Sequence, residues 1–442
     1  MSRFLFTTLQ SNDLGLLTRS LPIAHELRTL GHEVIFCSPG AAPRKVVADA
    51  GFDSRIPDEP LYNLGDPATL PRVLRSGHRW RDLRLFLQLA RHMSRNATAE
   101  VWDVDHFFHM MGLAEADLLR ITIPSLIRLL RDVRPDAVVD FWNPTACAAA
   151  RATSTPLVGV VQANTHPASD GFIWWRERPA ALPGPVPAFN AVLAEVGLPS
   201  VQKVAELMLG DLTLVLGMPE TDPIPAGADG THIGAVLWER VGTEVPDWLT
   251  KLGRDRPLVW VYPGNVRYMR GSTTPFDSLV VLEACVEALR DEPVQVVLAT
   301  GHQPLPRRFR RLPANFHVEP FVPGLTLAAR CSVMIHHGGY GSCQTGLWAG
   351  CPAVIVPTYS ERESNARRVA AAGAGLVVLP ETDARGMRKN VAPAALRDAV
   401  RRVLGEPAFT RNAAAMSEKL REYGGAPVAA HLIEETLAGV VG

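Results

Sequence analysis

Met334-Ile-His-His-Gly-Gly-Tyr-Gly-Ser-Cys-Gln-Thr-Gly-Leu-Trp-Ala-Gly-Cys-Pro-Ala-Val-Ile-Val-Pro357 is the stretch on which the fold turns. It reads as strand, glycine-rich turn, helix and second strand. An apolar run from Cys331 to Ile335 ends at His336 and His337. Gly338, Gly339 and Gly341 then let the backbone approach a ligand where side chains would clash. A helix opening near Ser342 aims its free N–H groups and positive dipole end at the same spot, which suits an anion, and Ser342 adds a hydroxyl at the expected cap. The spacing is neither G-x-G-x-x-G nor G-x-x-x-x-G-K-S/T, which disfavours the common dinucleotide and P-loop readings. Taken alone, the cluster is equally a glycine-rich turn with no ligand.

The chain continues Pro357-Thr-Tyr-Ser-Glu-Arg-Glu-Ser-Asn-Ala-Arg-Arg-Val-Ala-Ala-Ala-Gly-Ala-Gly375, leaving a second apolar strand and opening another helix. From His336 to Gly375 the sequence resembles the signature of family 1 glycosyltransferases, especially the bacterial ones that decorate antibiotic- and macrolide-type natural products. That pattern runs H-H-G-G-x-G-S/T, a helix, G-x-P, a strand, P, then D/E-Q-x-x-N-A-x-R-V and G-A-G. Most of it stands here in order. The resemblance implies the α/β GT-B fold: two facing Rossmann-like domains, with a C-terminal helix crossing back to the N-terminal domain.

Bulk properties agree with a large two-part protein. At 442 residues the chain exceeds what one hydrophobic core usually serves. Forty-five basic side chains balance 45 acidic ones, which gives no support for a nucleic-acid partner or a stable polybasic membrane anchor. A hydrophobic content of 47% supports well-buried cores, and no apolar run is long enough to span a membrane. Met-Ser-Arg-Phe-Leu-Phe-Thr-Thr enters a strand without a basic leader and cleavage site, so a cytoplasmic protein is expected. The six cysteines form no C-x-x-C pair and several lie in apolar segments, so buried thiols are expected rather than disulfides or a zinc site.

Phe4 to Thr8, a helix from Pro22 to Leu30 and Val34 to Cys37 make a βαβ opening. Ala137 to Asp140 and Leu157 to Val161 read as further parallel strands. Residues 70–132 are helical in period, and Trp80, Phe86, Met93, Phe107 and Phe108 read mostly as helix core. Strands at Leu258 to Tyr262, Val294 to Ala299 and near Val318 alternate with helices, Phe276 to Leu289 among them, in a second α/β run. The expected boundaries are an N-terminal acceptor-binding domain over 1–218, a linker over 219–256 where Pro and Gly punctuate the chain, a nucleotide-sugar domain over 257–425, and a helix over 426–442 that packs on the first domain.

Carried over residue by residue, the resemblance has His337 bond a diphosphate oxygen, with Gly338, Gly339, Gly341 and Ser342 beside it. His336 is expected to face the domain interior. Phe321-Val322-Pro323-Gly324 stands where the family has W-V/A-P-Q. Phe321 would stack on the base and the Val322 backbone would pair with it, while Gly324 replaces the glutamine. Gly264-Asn265 takes the place of a G-S/T turn near the diphosphate, and Asn265 keeps a donor. Glu361 and Asn365 match residues that face the sugar. Arg362 replaces a neutral amide with a forked cation, which points away from plain UDP-glucose to another UDP- or dTDP-sugar, such as a deoxyhexose. It is equally a surface residue paired with Glu361 or Glu363. Adjacent histidines on a strand point oppositely and no third ligand accompanies them, so no metal is expected, and no cofactor beyond the NDP-sugar co-substrate.

Inverting transfer in the family uses a histidine, in a G-H-x-x-P turn after the first strand and oriented by an aspartate, to take the acceptor's proton. Counting back from Leu21-Pro-Ile-Ala24, that position falls on Gly15-Leu16, so the histidine is absent. Asp140 matches the orienting aspartate, and Asp13 lies in the turn that lost the histidine. Either carboxylate is a candidate base, Asp13 being equally a helix cap. His166, Trp142 and Phe108 are expected to line the acceptor pocket. The sequence thus predicts an inverting hexosyltransferase that takes an apolar small-molecule acceptor, as a monomer or homodimer. Loss of the histidine keeps open a non-catalytic sugar-nucleotide-binding partner of another transferase, and fold analogy keeps open an epimerase or hydrolase.

Overall fold

A computed structural model describes the chain except residues 11–13, 39, 65, 67, 96–99, 240–244, 254, 265–277, 301–303, 383–388 and 442. It divides into two compact units: Met1–Ala97 with Trp102–Trp238 and Gly424–Gly442, and Thr98–Val101 with Glu239–Tyr423.

The first unit holds a seven-stranded sheet of β1 (Arg3–Thr8), β2 (Glu33–Cys37), β3 (Asp53–Ser54), β4 (Ala137–Phe141), β5 (Leu157–Gln162), β6 (Leu212–Leu216) and β7 (Thr231–His232). Their spatial order is β3-β2-β1-β4-β5-β6-β7, with every neighbouring pair parallel. The second unit holds β8 (Leu258–Tyr262), β9 (Gln295–Ala299), β10 (Phe316–Glu319), β11 (Val333–His336), β12 (Ala353–Ile355) and β13 (Gly375–Val377). Here the order is β10-β9-β8-β11-β12-β13, again all parallel. These are two Rossmann-like α/β units. Parallel strands covered on both faces are buried and largely apolar, which is why all five residues of β4 are buried, Asp140 being its one polar member, and β8 reads Leu-Val-Trp-Val-Tyr.

Both strand orders reverse beside the unit's first strand, between β1 and β4 and between β8 and β11. At such a reversal, connections leave toward opposite faces and open a crevice at the C-terminal strand ends, where α/β proteins bind ligands. The register places Thr7 opposite Asp140 at one reversal and Tyr262 opposite His336 at the other.

Several element bounds differ from the sequence expectation. The first long helix spans Leu17–Thr29, so Pro22 lies inside it rather than at its start; proline's preference for the first turn misleads here. The helix after the glycines opens at Tyr340, not Ser342, with Gly339 as its cap. Within residues 219–256, β7 joins the first sheet and a short helix forms at Asp247–Lys251. The helix Ala426–Val441 belongs to the first unit, where it packs on Leu17–Thr29. Gly424 and Gly425, both at left-handed φ, turn the chain into it, and Glu434 Oε1 meets His32 Nε2 at 2.8 Å. All six cysteines are free thiols, five of them buried.

Candidate functional site

In the second unit the β8/β11 reversal is built around one imidazole. His337 follows β11 directly and is 7% exposed. A Cβ at Gly264 would stand 3.1 Å from the ring's Cγ and Nδ1, and one at Gly339 would stand 2.5 Å from Nε2. Glycine at both positions lets the backbone lie against the ring. Tyr262 packs edge-on, with centroids 5.6 Å apart. Burial, then the nearby Arg362 charge, holds the His337 pKa well below the ordinary histidine value, so the ring is neutral near pH 7. Its Nδ1 is buried and meets no hydrogen-bond partner among the described residues. His336 is fully buried, accepts from Gly338 N at 3.2 Å through Nδ1, and has its pKa pushed down to about 3 by desolvation.

The Glu361/Asn365 segment joins the same cluster. Asn365, on the helix Ser360–Ala371, donates from Nδ2 to Gly338 O at 3.1 Å and to Glu361 Oε1 at 2.7 Å. One amide thus ties the glycine turn to the carboxylate. Gly338 sits at φ +84°, and a Cβ there would come within 2.6 Å of Arg362 O. Arg362 donates to Thr358 Oγ1 at 2.8 Å, while Glu363 pairs with Arg367 at 2.8 Å. Gly341 and Ser342 lie in the first turn of Tyr340–Ala349, and a Cβ at Gly341 would meet nothing within 4 Å. That first turn carries no acidic residue and follows directly on the neutral His337. Such a surface suits an anion.

Phe321 is 49% exposed, whereas Val322 is buried in a cluster with Trp260. Gly324 lies against the Trp260 ring, its Cβ position 3.3 Å from Cη2. Asn265 lies outside the described residues. Sequence reading missed Thr358, Tyr262 and Ser360, whose Oγ accepts from Val101 N at 2.9 Å; only the fold brings Val101 to that helix.

In the first unit the β1/β4 reversal centres on Asp140, 1% exposed. Its Oδ1 accepts from Thr7 Oγ1 and its Oδ2 from Asn143 N at 2.9 Å. Burial outweighs these bonds and pushes the pKa up to about 7. Trp142, two residues on, holds a left-handed φ of 65°, is buried, and leaves its indole N–H without a partner among the described residues. Phe107 meets it edge-on at 6.5 Å, while Phe108 is fully buried. Leu16 is the residue before the first turn of Leu17–Thr29. His166 lines a small pocket with Asp105, Asn164 and Lys203, but both ring nitrogens are engaged, by Asp229 O at 2.8 Å and Ala168 N at 3.1 Å. Asp13 lies outside the described residues.

Comparison with known proteins adds what the chain is similar to. Residues 282–434 match the C-terminal domain of the erythromycin biosynthesis protein CIII-like family. The NDP-glycosyltransferase YjiC of Bacillus licheniformis is 37% identical over 154 residues, covering 35% of this chain and 37% of the relative. The PGL/p-HBAD biosynthesis rhamnosyltransferase of Mycobacterium bovis is 28% identical over 287 residues, 60% of each chain. The chain thus spans less than two thirds of the length of these relatives. Among solved structures, the spinosyn forosaminyltransferase SpnP superposes with a TM-score of 0.68 at 22% identity over 99% of both chains. The glycosyltransferase VinC, solved in complex with dTDP, does so with 0.66 at 21%, again over 99% of both.

The chain has the GT-B fold of these glycosyltransferases. Both Rossmann-like units and the helix that returns to the first unit accord with that fold, and the match over 282–434 takes in the glycine cradle and the start of that helix. No helix among the described residues is long and apolar enough to cross a membrane.

Proposed function

We propose that the chain transfers a sugar from a nucleotide diphosphate donor to an apolar natural-product acceptor, with inversion at the anomeric carbon. One observation carries the reading: Asn365 bridges Gly338 O and Glu361 beside a neutral His337 whose Nδ1 is unspent, at the N-terminus of Tyr340–Ala349. In this reading the first-turn N–H groups and His337 hold the diphosphate, Phe321 stacks on the base, and Glu361 and Asn365 take sugar hydroxyls. The dTDP bound by VinC supports a thymidine or related nucleotide.

The acceptor nucleophile attacks the anomeric carbon as the bond to the diphosphate oxygen breaks. The leaving electron pair goes to the nucleotide diphosphate, where preorganised donors stabilise it. The acceptor's proton goes to a carboxylate. Asp140 suits that role because its pKa of about 7 matches a base working near neutral pH. Asp13 is the other candidate.

The test incubates the purified chain with dTDP- and UDP-sugars and a panel of aglycones, read by mass spectrometry. A glycoside formed together with free nucleotide diphosphate supports transfer. Nucleotide sugar consumed with no glycoside marks a hydrolase, and binding without turnover marks a non-catalytic partner. Failure of any nucleotide to bind would remove the donor-site reading itself.

A further inference from the structure

Two adjoining helices of the first unit, Thr69–Arg75 and Arg79–Arg95, show a surface that the sugar-transfer chemistry leaves unused. In the longer helix Asp82, Leu85 and Leu89 are buried, a spacing that turns one face to the core. The opposite stripe, at intervals of four, three, four and four, is Trp80, Arg84, Leu87, Arg91 and Arg95, and all five side chains are exposed. Trp80 is 72% exposed, and on the shorter helix Leu70 and Leu74 also face outward. From Thr69 to Arg95 the chain has seven arginines and a single acidic residue, Asp82. That carboxylate is buried and paired with Arg81 at 2.7 Å. A chain with no net charge therefore concentrates positive charge where it also exposes its most accessible tryptophan.

We propose that this face docks reversibly on an anionic lipid bilayer. Tryptophan and leucine suit the headgroup boundary, and the arginine stems lie along apolar surface while their guanidinium heads reach lipid phosphates. Charge complementarity selects this occupant over a second copy of the chain, because a twofold pairing would set the arginine stripe against itself. Docking is peripheral: no helix among the described residues is long and apolar enough to span the membrane.

Flotation of the full chain with phosphatidylcholine vesicles, with and without phosphatidylglycerol, at low and high salt tests the proposal. The chain should float with the phosphatidylglycerol vesicles alone, and raised salt should release it. The Arg84→Glu/Arg91→Glu double variant and the Trp80→Ala/Leu87→Ala double variant should each lower partitioning at least about tenfold, with unchanged melting temperatures because all four positions are exposed. The proposal fails if the wild-type chain stays in solution with anionic vesicles, or if either folded variant floats as well as wild type. It fails equally if the chain sediments as a dimer that Arg84→Glu/Arg91→Glu dissociates, or binds soluble polyglutamate while ignoring the vesicles.

Discussion

Two glycines three residues apart separate what the cradle needs in order to fold from what it needs in order to bind. Gly338 has φ +84°, and a methyl on it would sit 2.6 Å from Arg362 O. Gly338→Ala therefore incurs about 1–2 kcal/mol for left-handed backbone and about 1–3 kcal/mol for forced displacement of its neighbour. The sum, about 2–5 kcal/mol, should lower the melting temperature of a unit this size by roughly 4–20 °C. Gly341 lies in the first turn of Tyr340–Ala349, outside the positive-φ glycines, with open space where its Cβ would go. Gly341→Ala should leave stability unchanged or raise it by up to about 1 kcal/mol through helix propensity. Its methyl would nevertheless occupy the approach to the helix N-terminus, so nucleotide diphosphate affinity should fall at least about tenfold, a loss of about 1.4 kcal/mol. Thermal melts and calorimetric titration with dTDP measure both quantities. Wild-type affinity in Gly341→Ala would refute the placement of the diphosphate, and a wild-type melt in Gly338→Ala would refute the steric argument.

Three further outcomes follow from the site. The folded-state pKa of Asp140, about 7, lies above the ordinary carboxylate value, so the folded state binds the extra proton; its contribution to stability falls as pH rises from about 4 to about 7, and urea midpoints of Asp140→Asn should lack that decline relative to wild type. If Asp140 is the base, the same variant should also lose about 100-fold or more in kcat. Trp142→Phe removes an unpartnered buried N–H and should keep or gain up to about 1–3 kcal/mol of stability, while kcat/KM for the acceptor falls; an unchanged kcat/KM would place the indole outside the acceptor site. Arg362→Gln, which restores the family's neutral amide, should shift the ratio of kcat/KM between competing sugar donors at least about tenfold, with dTDP affinity nearly constant; an unchanged ratio would leave Arg362, which donates to Thr358, without a part in choosing the sugar.

Legibility followed burial. Strands such as β4 and β8 were readable because parallel strands covered on both faces leave continuous apolar runs, and the cradle was readable because its glycines, histidine and following helix are contiguous. Contacts that depend on strand order were not. Nothing local ties Thr7 to Asp140 across 133 positions; only the adjacency of β1 and β4 does. The aromatic segment over 70–132 shows a different limit. Helical spacing makes Trp80 look like core, yet the structure turns it outward with Leu87, because Arg84, Arg91 and Arg95 share their stripe and need solvent. That clue was present in the sequence, but summing charge over the whole chain cancels it.

The most informative remaining test joins Asp140 to Trp142. Asp140 Oδ2 accepts from Asn143 N, three residues on, so the carboxylate closes the turn that contains Trp142 and its left-handed φ of 65°. An aspartate that accepts from a nearby backbone N–H in this way fixes a conformation the backbone would otherwise avoid. Asp140 can then matter to catalysis through two routes: taking a proton, or holding the indole N–H where an acceptor meets it. A double-mutant cycle with Asp140→Asn and Trp142→Phe distinguishes them. If the carboxylate acts by placing the indole, the two losses in acceptor kcat/KM overlap, with an interaction above about 0.5 kcal/mol, and Trp142→Phe loses the limb near 7 as Asp140→Asn does. If the carboxylate is the base and nothing more, the losses add and only Asp140→Asn removes the limb. Additive losses with the limb intact in both variants would exclude either role for Asp140.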